Sequence, residues 1–194
     1  MKTAILIPAR LGSTRLPDKM LIELDGVPLI KRVYDACVKS GLDTYVVTDS
    51  LEIAEIIPNF IITDEASNGT ERCAMAAQDT HYDTFINVQG DMPDVTVDMI
   101  NLVSEQLKHE YQVTTLYTDM PQEDQLKPDS VKLIRDGYEA LWMGRGMTGY
   151  GDWHLGIYGY TATALSSYPH LDVYVEETVE KLEQLRWLKN GYKV

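Results

Sequence analysis

The chain has 194 residues, enough to bury a full core within one domain spanning 1–194, and its 44% hydrophobic and 24% charged content is ordinary for a globular protein. A formal net charge of −13 argues against polymeric nucleic acid as a partner, and no apolar run approaches the roughly 20 residues of a membrane span. Cys37 and Cys73 lie in apolar, helix-like stretches and read as buried thiols rather than a disulfide. The N-terminus reads as a strand rather than a secretory signal, so a cytoplasmic protein is expected.

In chain order, strand-like and helix-like runs alternate, which predicts an α/β fold with a mostly parallel, mixed central sheet flanked by helices. Residues 4–9 form an apolar strand that ends in Arg10. Pro28 to Gly41 carries Leu29, Ile30, Val33, Tyr34, Cys37 and Val38 at helical spacing, with Gly41 as the stop. A strand at 45–49, a short helix from Leu51 and a strand at 60–63 follow, then a helix from Gly69 to Thr80 opened by Thr70. Residues 84–91 read as a central strand running into a turn, 96–110 as an amphipathic helix, and 112–118, 131–135 and 155–160 as strands. A final helix is expected from Glu176 to about Lys189, with Val179, Leu182 and Leu185 packing inward. The glycine-rich segment 144–153 reads as the mobile loop.

The chemistry starts where the first strand ends. Residues 1–20 hold Lys2, Arg10, Arg15 and Lys19 against Asp18 alone, a local positive site in an acidic chain. Ligands of open α/β sheets bind at strand ends, where loop N–H groups and side chains converge. The loop Leu11 to Lys19 is therefore expected to hold phosphate, most simply that of a nucleoside triphosphate. With Gly12 its one glycine, it must grip by cations and N–H groups together. The chain has no Walker loop, dinucleotide fingerprint, H-E-x-x-H or paired C-x-x-C, which leaves those chemistries unsupported. Asp91 follows an apolar strand and a glycine, placing its carboxylate at the sheet's C-terminal edge; a turn cap is the plainer alternative. Gln89 alternates with Val88 and faces the other way.

Residues 8–19, Pro8-Ala9-Arg10-Leu11-Gly12-Ser13-Thr14-Arg15-Leu16-Pro17-Asp18-Lys19, resemble the signature loop of the sugar cytidylyltransferases. The resemblance is closest to the 3-deoxy-manno-octulosonate cytidylyltransferase (CMP-Kdo synthetase) family. It recurs in order at Asn68-Gly69-Thr70-Glu71-Arg72, Asn87-Val88-Gln89-Gly90-Asp91, His154-Leu155-Gly156-Ile157-Tyr158-Gly159-Tyr160 and Leu182-Glu183-Gln184-Leu185-Arg186.

It implies a Rossmann-like nucleotidyltransferase fold, transfer of CMP from CTP to an acidic eight-carbon sugar with release of pyrophosphate, a Mg²⁺ cofactor and a homodimer. Attacking and leaving oxygens both carry negative charge, so such a reaction needs a cation clamp and a metal more than a nucleophilic side chain. By resemblance Arg10, Lys19 and Asp91 are the catalytic trio, with Asp91 on the metal. Ala9, Gly12, Ser13, Thr14 and Arg15 complete the nucleotide loop. Asn68, Gly69 and Thr70 lie against the cytosine, with a plain helix cap as the alternative. Gln89 is able to serve nucleotide or sugar, and Arg145 faces the sugar carboxylate. His154, Tyr158, Glu180 and Gln184 are the remaining sugar contacts, Glu180 and Gln184 sharing a helix face at i,i+4.

The chain departs from the family at several positions: Asn68 stands for Ser, Met92 for Glu, and the stretch between Arg145 and His154 is short. The family's second metal aspartate is expected beyond the last helix, where this sequence stops at Val194; Asp152 and Glu177 are the carboxylates that could stand in. A non-catalytic nucleotide- or sugar-binding relative and a CMP-sialate-type synthetase stay open as alternatives.

Overall fold

The computed structural model describes residues 1–12, 16–107 and 111–194. It opens with β1 (Thr3–Ala9), in which Ala4 and Leu6 face one side and Ile5, Ile7 and Ala9 the other, all buried. Apolar residues on both faces are what a central parallel strand requires. A small hairpin of β2 (Glu23–Leu24) and β3 (Val27–Pro28) turns through Asp25 and Gly26, both at positive φ. Then come α1 (Leu29–Val38), β4 (Asp43–Thr48), α2 (Leu51–Glu55), β5 (Phe60–Ile62), α3 (Gly69–Ala77), β6 (Thr84–Val88), α4 (Val97–Gln106) and β7 (Val113–Thr118). The chain continues as α5 (Gln122–Gln125), β8 (Lys132–Asp136), β9 (Glu139–Gly144), β10 (Asp152–Thr161), α6 (Ala162–Ser167), α7 (Val175–Glu180) and α8 (Leu185–Lys189).

The main sheet runs β5-β4-β1-β6-β10-β8-β9, with β7 also paired to β10. The half from β5 to β6 is parallel, and β10 joins it antiparallel to β6 and to its other neighbours. This is the α/β sheet that the alternating runs predict, flanked by helices as the resemblance implies, with β10 bringing in the antiparallel part. One face buries Ile30, Val33, Ile53, Ile100 and Val103 from α1, α2 and α4; the other buries Cys73, Ala74, Leu165 and Trp187 from α3, α6 and α8. Cys37 and Cys73 are free and buried, and burial pushes both thiols up. Among the described residues no helix is long and apolar enough to cross a membrane.

Two expected elements are corrected. The helix at 69 is capped by Asn68, not Thr70: the Asn68 Oδ1 accepts from the Glu71 N–H at 2.9 Å, while Thr70 is buried beside the Tyr160 hydroxyl. The final helix is two helices, because Lys181 adopts the left-handed conformation (φ 52°) and ends α7. Glu180 and Gln184 therefore share no helix face, and Val179 is 72% exposed, whereas Leu182 and Leu185 do pack inward. Asp152 and Trp153 belong to β10, paired with Leu133 and Lys132, which shortens the expected 144–153 loop. The end of the expected 96–110 helix, residues 108–110, lies outside the described residues.

Candidate functional site

A cleft of about 1340 Å³ opens at the C-terminal tips of β1 and β6. These strands are parallel neighbours with Leu6 opposite Asn87, and the same offset carried past their ends sets Arg10 level with Asp91. Gly90 makes the turn possible: a Cβ there would meet the Pro8 carbonyl oxygen at 3.1 Å and Met20 Sδ at 3.0 Å. Lys19 arrives on a 3₁₀ turn, Lys19–Leu21, that starts after left-handed Asp18. Its Nζ lies 2.6 Å from Asp91 Oδ2, with 35% and 42% of the two side chains exposed. So open an ion pair contributes little to stability, and an incoming phosphate can take the cation at small cost.

Ala9, Asn68, Gly69 and Gln89, expected on the nucleotide side, line the cleft. Gly69 sits under Pro8, Gln89 and Glu183, and a Cβ on it would crowd Pro8 Cγ at 3.2 Å. The Thr70 N–H donates to Glu183 Oε2 at 3.0 Å, so this helix terminus is closed by the chain's own carboxylate, and Thr70 does not line the cleft. Burial raises the Glu183 pKa, and the hydrogen bond from Thr70 pulls it back in part. Gly12 stands in open space away from the lining. Ser13, Thr14 and Arg15 lie outside the described residues.

Arg145, His154, Tyr158 and Gln184 line the remainder. The Thr115 hydroxyl donates to the Ile157 carbonyl at 2.8 Å, so in its 3.0 Å contact with His154 the hydroxyl oxygen accepts a hydrogen bond from the ring Nε2–H. The tautomer is therefore Nε2–H, with Nδ1 as the acceptor. Burial, reinforced by the Arg145 charge, lowers the His154 pKa to about 4, and the ring is neutral at pH 7. The Tyr158 ring lies tilted against it, 5.2 Å away between centroids, its hydroxyl held protonated by burial. Gln184 Nε2 donates to Glu183 Oε1 at 3.3 Å.

Glu180 is absent from the lining. Its Oε2 accepts from the N–H groups of Arg145 and Gly146 at 2.5 and 3.1 Å, which overturns its expected place against sugar hydroxyls. Glu177, which lines the cleft, is held by a two-bond ion pair to Arg186 at 2.6 and 2.9 Å, and Asp152, off the lining, by Arg135 at 2.6 Å, so both expected stand-ins already have a cation partner. Among the described residues no three His, Cys, Asp or Glu gather to cage a metal. Among the cleft residues not singled out from the sequence as site residues are Glu183, Arg186 and Arg72, the last buried against Asp49 at 2.6 Å. All three lie within the blocks that carry the resemblance, which is where a signal for them existed.

A family model described as cytidylyltransferase matches residues 4–194. The 3-deoxy-manno-octulosonate cytidylyltransferase of Chloroherpeton thalassium is 36% identical over 218 aligned positions, covering 100% of this chain and 88% of that protein. That of Francisella tularensis subsp. novicida is 37% identical, covering 98% and 87%. The solved structure of CMP:2-keto-3-deoxy-manno-octonic acid synthetase complexed with CTP superimposes with a TM-score of 0.91 at 28% identity, covering 100% of this chain and 88% of that one. The inositol-1-phosphate CTP transferase from T. maritima, 14% identical with a TM-score of 0.70, covering 100% and 84%, shares the fold alone. With its cations and Asp91 at the tips of β1 and β6, and a match running from Ala4 to Val194, the chain belongs to the cytidylyltransferase family.

Proposed function

We propose that this protein transfers CMP from CTP to the anomeric hydroxyl of 3-deoxy-manno-octulosonate, releasing pyrophosphate. The observation that carries the reading is a single cleft holding two kinds of site. Arg10, Lys19 and Asp91 stand at the tips of two parallel strands, and Arg145 and His154 stand where the antiparallel strands join. The similarity to synthetases of that sugar supports the choice of acceptor.

In the reaction the sugar hydroxyl oxygen attacks the α-phosphorus, the bond to the bridging oxygen of the β-phosphate breaks, and the hydroxyl proton passes to solvent. Arg10 and Lys19 neutralise the triphosphate as charge moves onto the leaving pyrophosphate. Arg145 faces the sugar carboxylate, and neutral His154 accepts a hydrogen bond from a sugar hydroxyl through Nδ1. Gln89 reaches the nucleotide from the end of β6. The donor set fits Mg²⁺: one hard, exposed carboxylate, Asp91, suffices for an ion that is usually held by one or two carboxylates with phosphate and water. When bound, Mg²⁺ would neutralise phosphate charge. We read the protein as a cytoplasmic homodimer by resemblance; a sedimentation mass near the 21.9 kDa of one chain overturns the dimer.

The test is pyrophosphate release from CTP, 3-deoxy-manno-octulosonate and Mg²⁺. Release that depends on all three supports the reading. No release at high protein concentration, with CTP still binding in calorimetry, makes this a nucleotide-binding relative instead. Equal turnover of sialate reassigns the sugar.

A further inference from the structure

Arg145 is held on three sides. Its N–H, with that of Gly146, donates to Glu180 Oε2 at 2.5 and 3.1 Å. Its carbonyl accepts from Lys132 Nζ at 3.3 Å, and its guanidinium donates to the Asp129 carbonyl at 2.5 Å. Lys132 is fully buried and also donates to the Lys127 carbonyl, so a cation that is costly to bury is bonded to the main chain of the two loops that carry Asp129 and Arg145.

The flanking glycines belong to the same device. A Cβ on Gly144 would lie 3.4 Å from Glu180 Oε1, and one on Gly146 3.2 Å, so Gly-Arg-Gly is a backbone that lets the carboxylate approach closely. Successive N–H groups aimed at one point form a concavity that suits an anion, and here the anion is the chain's own Glu180. Glu180 is the last residue of α7, directly before left-handed Lys181, and the segment beyond, Leu182 to Gln184, lines the cleft.

We propose that Glu180 is a positioning residue for the transfer: it fixes the Arg145 backbone so that the guanidinium meets the carboxylate of the acidic sugar, and it touches no substrate itself. The proposal rests on the substrate reading above. Its measurement is a split between the two Michaelis constants.

Glu180→Ala raises KM for the sugar about tenfold to a hundredfold and leaves KM for CTP within about twofold. Glu180→Gln, whose amide oxygen replaces Oε2, restores the sugar KM. Gly146→Ala crowds Oε1 and reproduces the sugar defect, and the double variant Glu180→Ala/Gly146→Ala is no worse than either single one. In the free protein, Glu180→Ala speeds hydrogen exchange at the Arg145 and Gly146 amides. An unchanged sugar KM, equal rises in both KM values, or additive losses in the double variant overturns the proposal. Wild-type protein that releases no pyrophosphate overturns the substrate reading instead, and amide exchange still reports on the clamp.

Discussion

Arg10 sits directly beyond β1, and Lys19 comes back to the same cleft on a separate turn, where it meets Asp91 from beyond β6. Replacing Arg10 with Ala removes a charge from the proposed phosphate subsite, and kcat/KM for CTP falls at least about tenfold; steady-state turnover that stays unchanged rules out the clamp. His154 makes a different prediction. Its pKa is about 4 when folded against an ordinary 6.5, so between these values the unfolded chain binds more protons at this site. Unfolding free energy therefore rises with pH across that window, and stability is lost as pH falls from 6.5 toward 4. The full effect is on the order of 3 kcal/mol. Glu183, raised by burial, acts with the opposite sign just above its ordinary 4.5, so the informative quantity is wild type minus His154→Gln in urea melts at each pH. Parallel curves for the two proteins would sink it. Arg10, Lys19, Asp91 and Gln89 were legible in the sequence because each follows an apolar strand or its loop, and parallel strands must end on one edge. The role of Glu180 was not, since its partner is the main chain of a loop 34 residues away.

At the scale of the element, α3 depends on its cap. Asn68→Ala leaves the Glu71 N–H without its partner and costs about 1 kcal/mol, while Asn68→Ser, which keeps a hydroxyl acceptor, stays within a few tenths; chemical denaturation separates them. Equal midpoints for both variants would show the cap to be idle. The break at Lys181 was invisible in the sequence, because neither Pro nor Gly marks it. It is imposed from outside: Leu182 and Leu185 bury in the core while the Glu183 carboxylate reaches the first turn of α3, and a continuous helix cannot satisfy both. The β2–β3 hairpin does carry a signal, Asp25-Gly26, which suits a two-residue turn with positive φ, but strands of two residues give no periodicity to go with it. Strand β9 and helices α5 and α6 were not legible either; the two helices are only four and six residues long, and their stability is tertiary.

For the whole molecule, the join between the two halves of the sheet is the sensitive place. Gly159 on β10 lies so near α4 and β7 that a Cβ would fall 2.5 Å from Thr114 Oγ1, 2.7 Å from Val103 Cγ1 and 2.8 Å from Leu107 Cδ1. Gly159→Ala therefore forces the helix off the sheet and lowers unfolding free energy by about 3 kcal/mol, read as a lower urea midpoint. An unmoved midpoint would mean that this interface yields freely. By itself the sequence determined the alternation of strands and helices, the parallel core around residues 4–9 and 84–88, and the cations and carboxylate at its tips, since local periodicity and strand ends carry that information. Only the tertiary structure decided that β10 pairs antiparallel with β6, that residues 181–184 line the cleft, and that the Glu180 carboxylate accepts from the Arg145 N–H. Those outcomes depend on contacts between segments far apart in the chain, whose free energies no local pattern records.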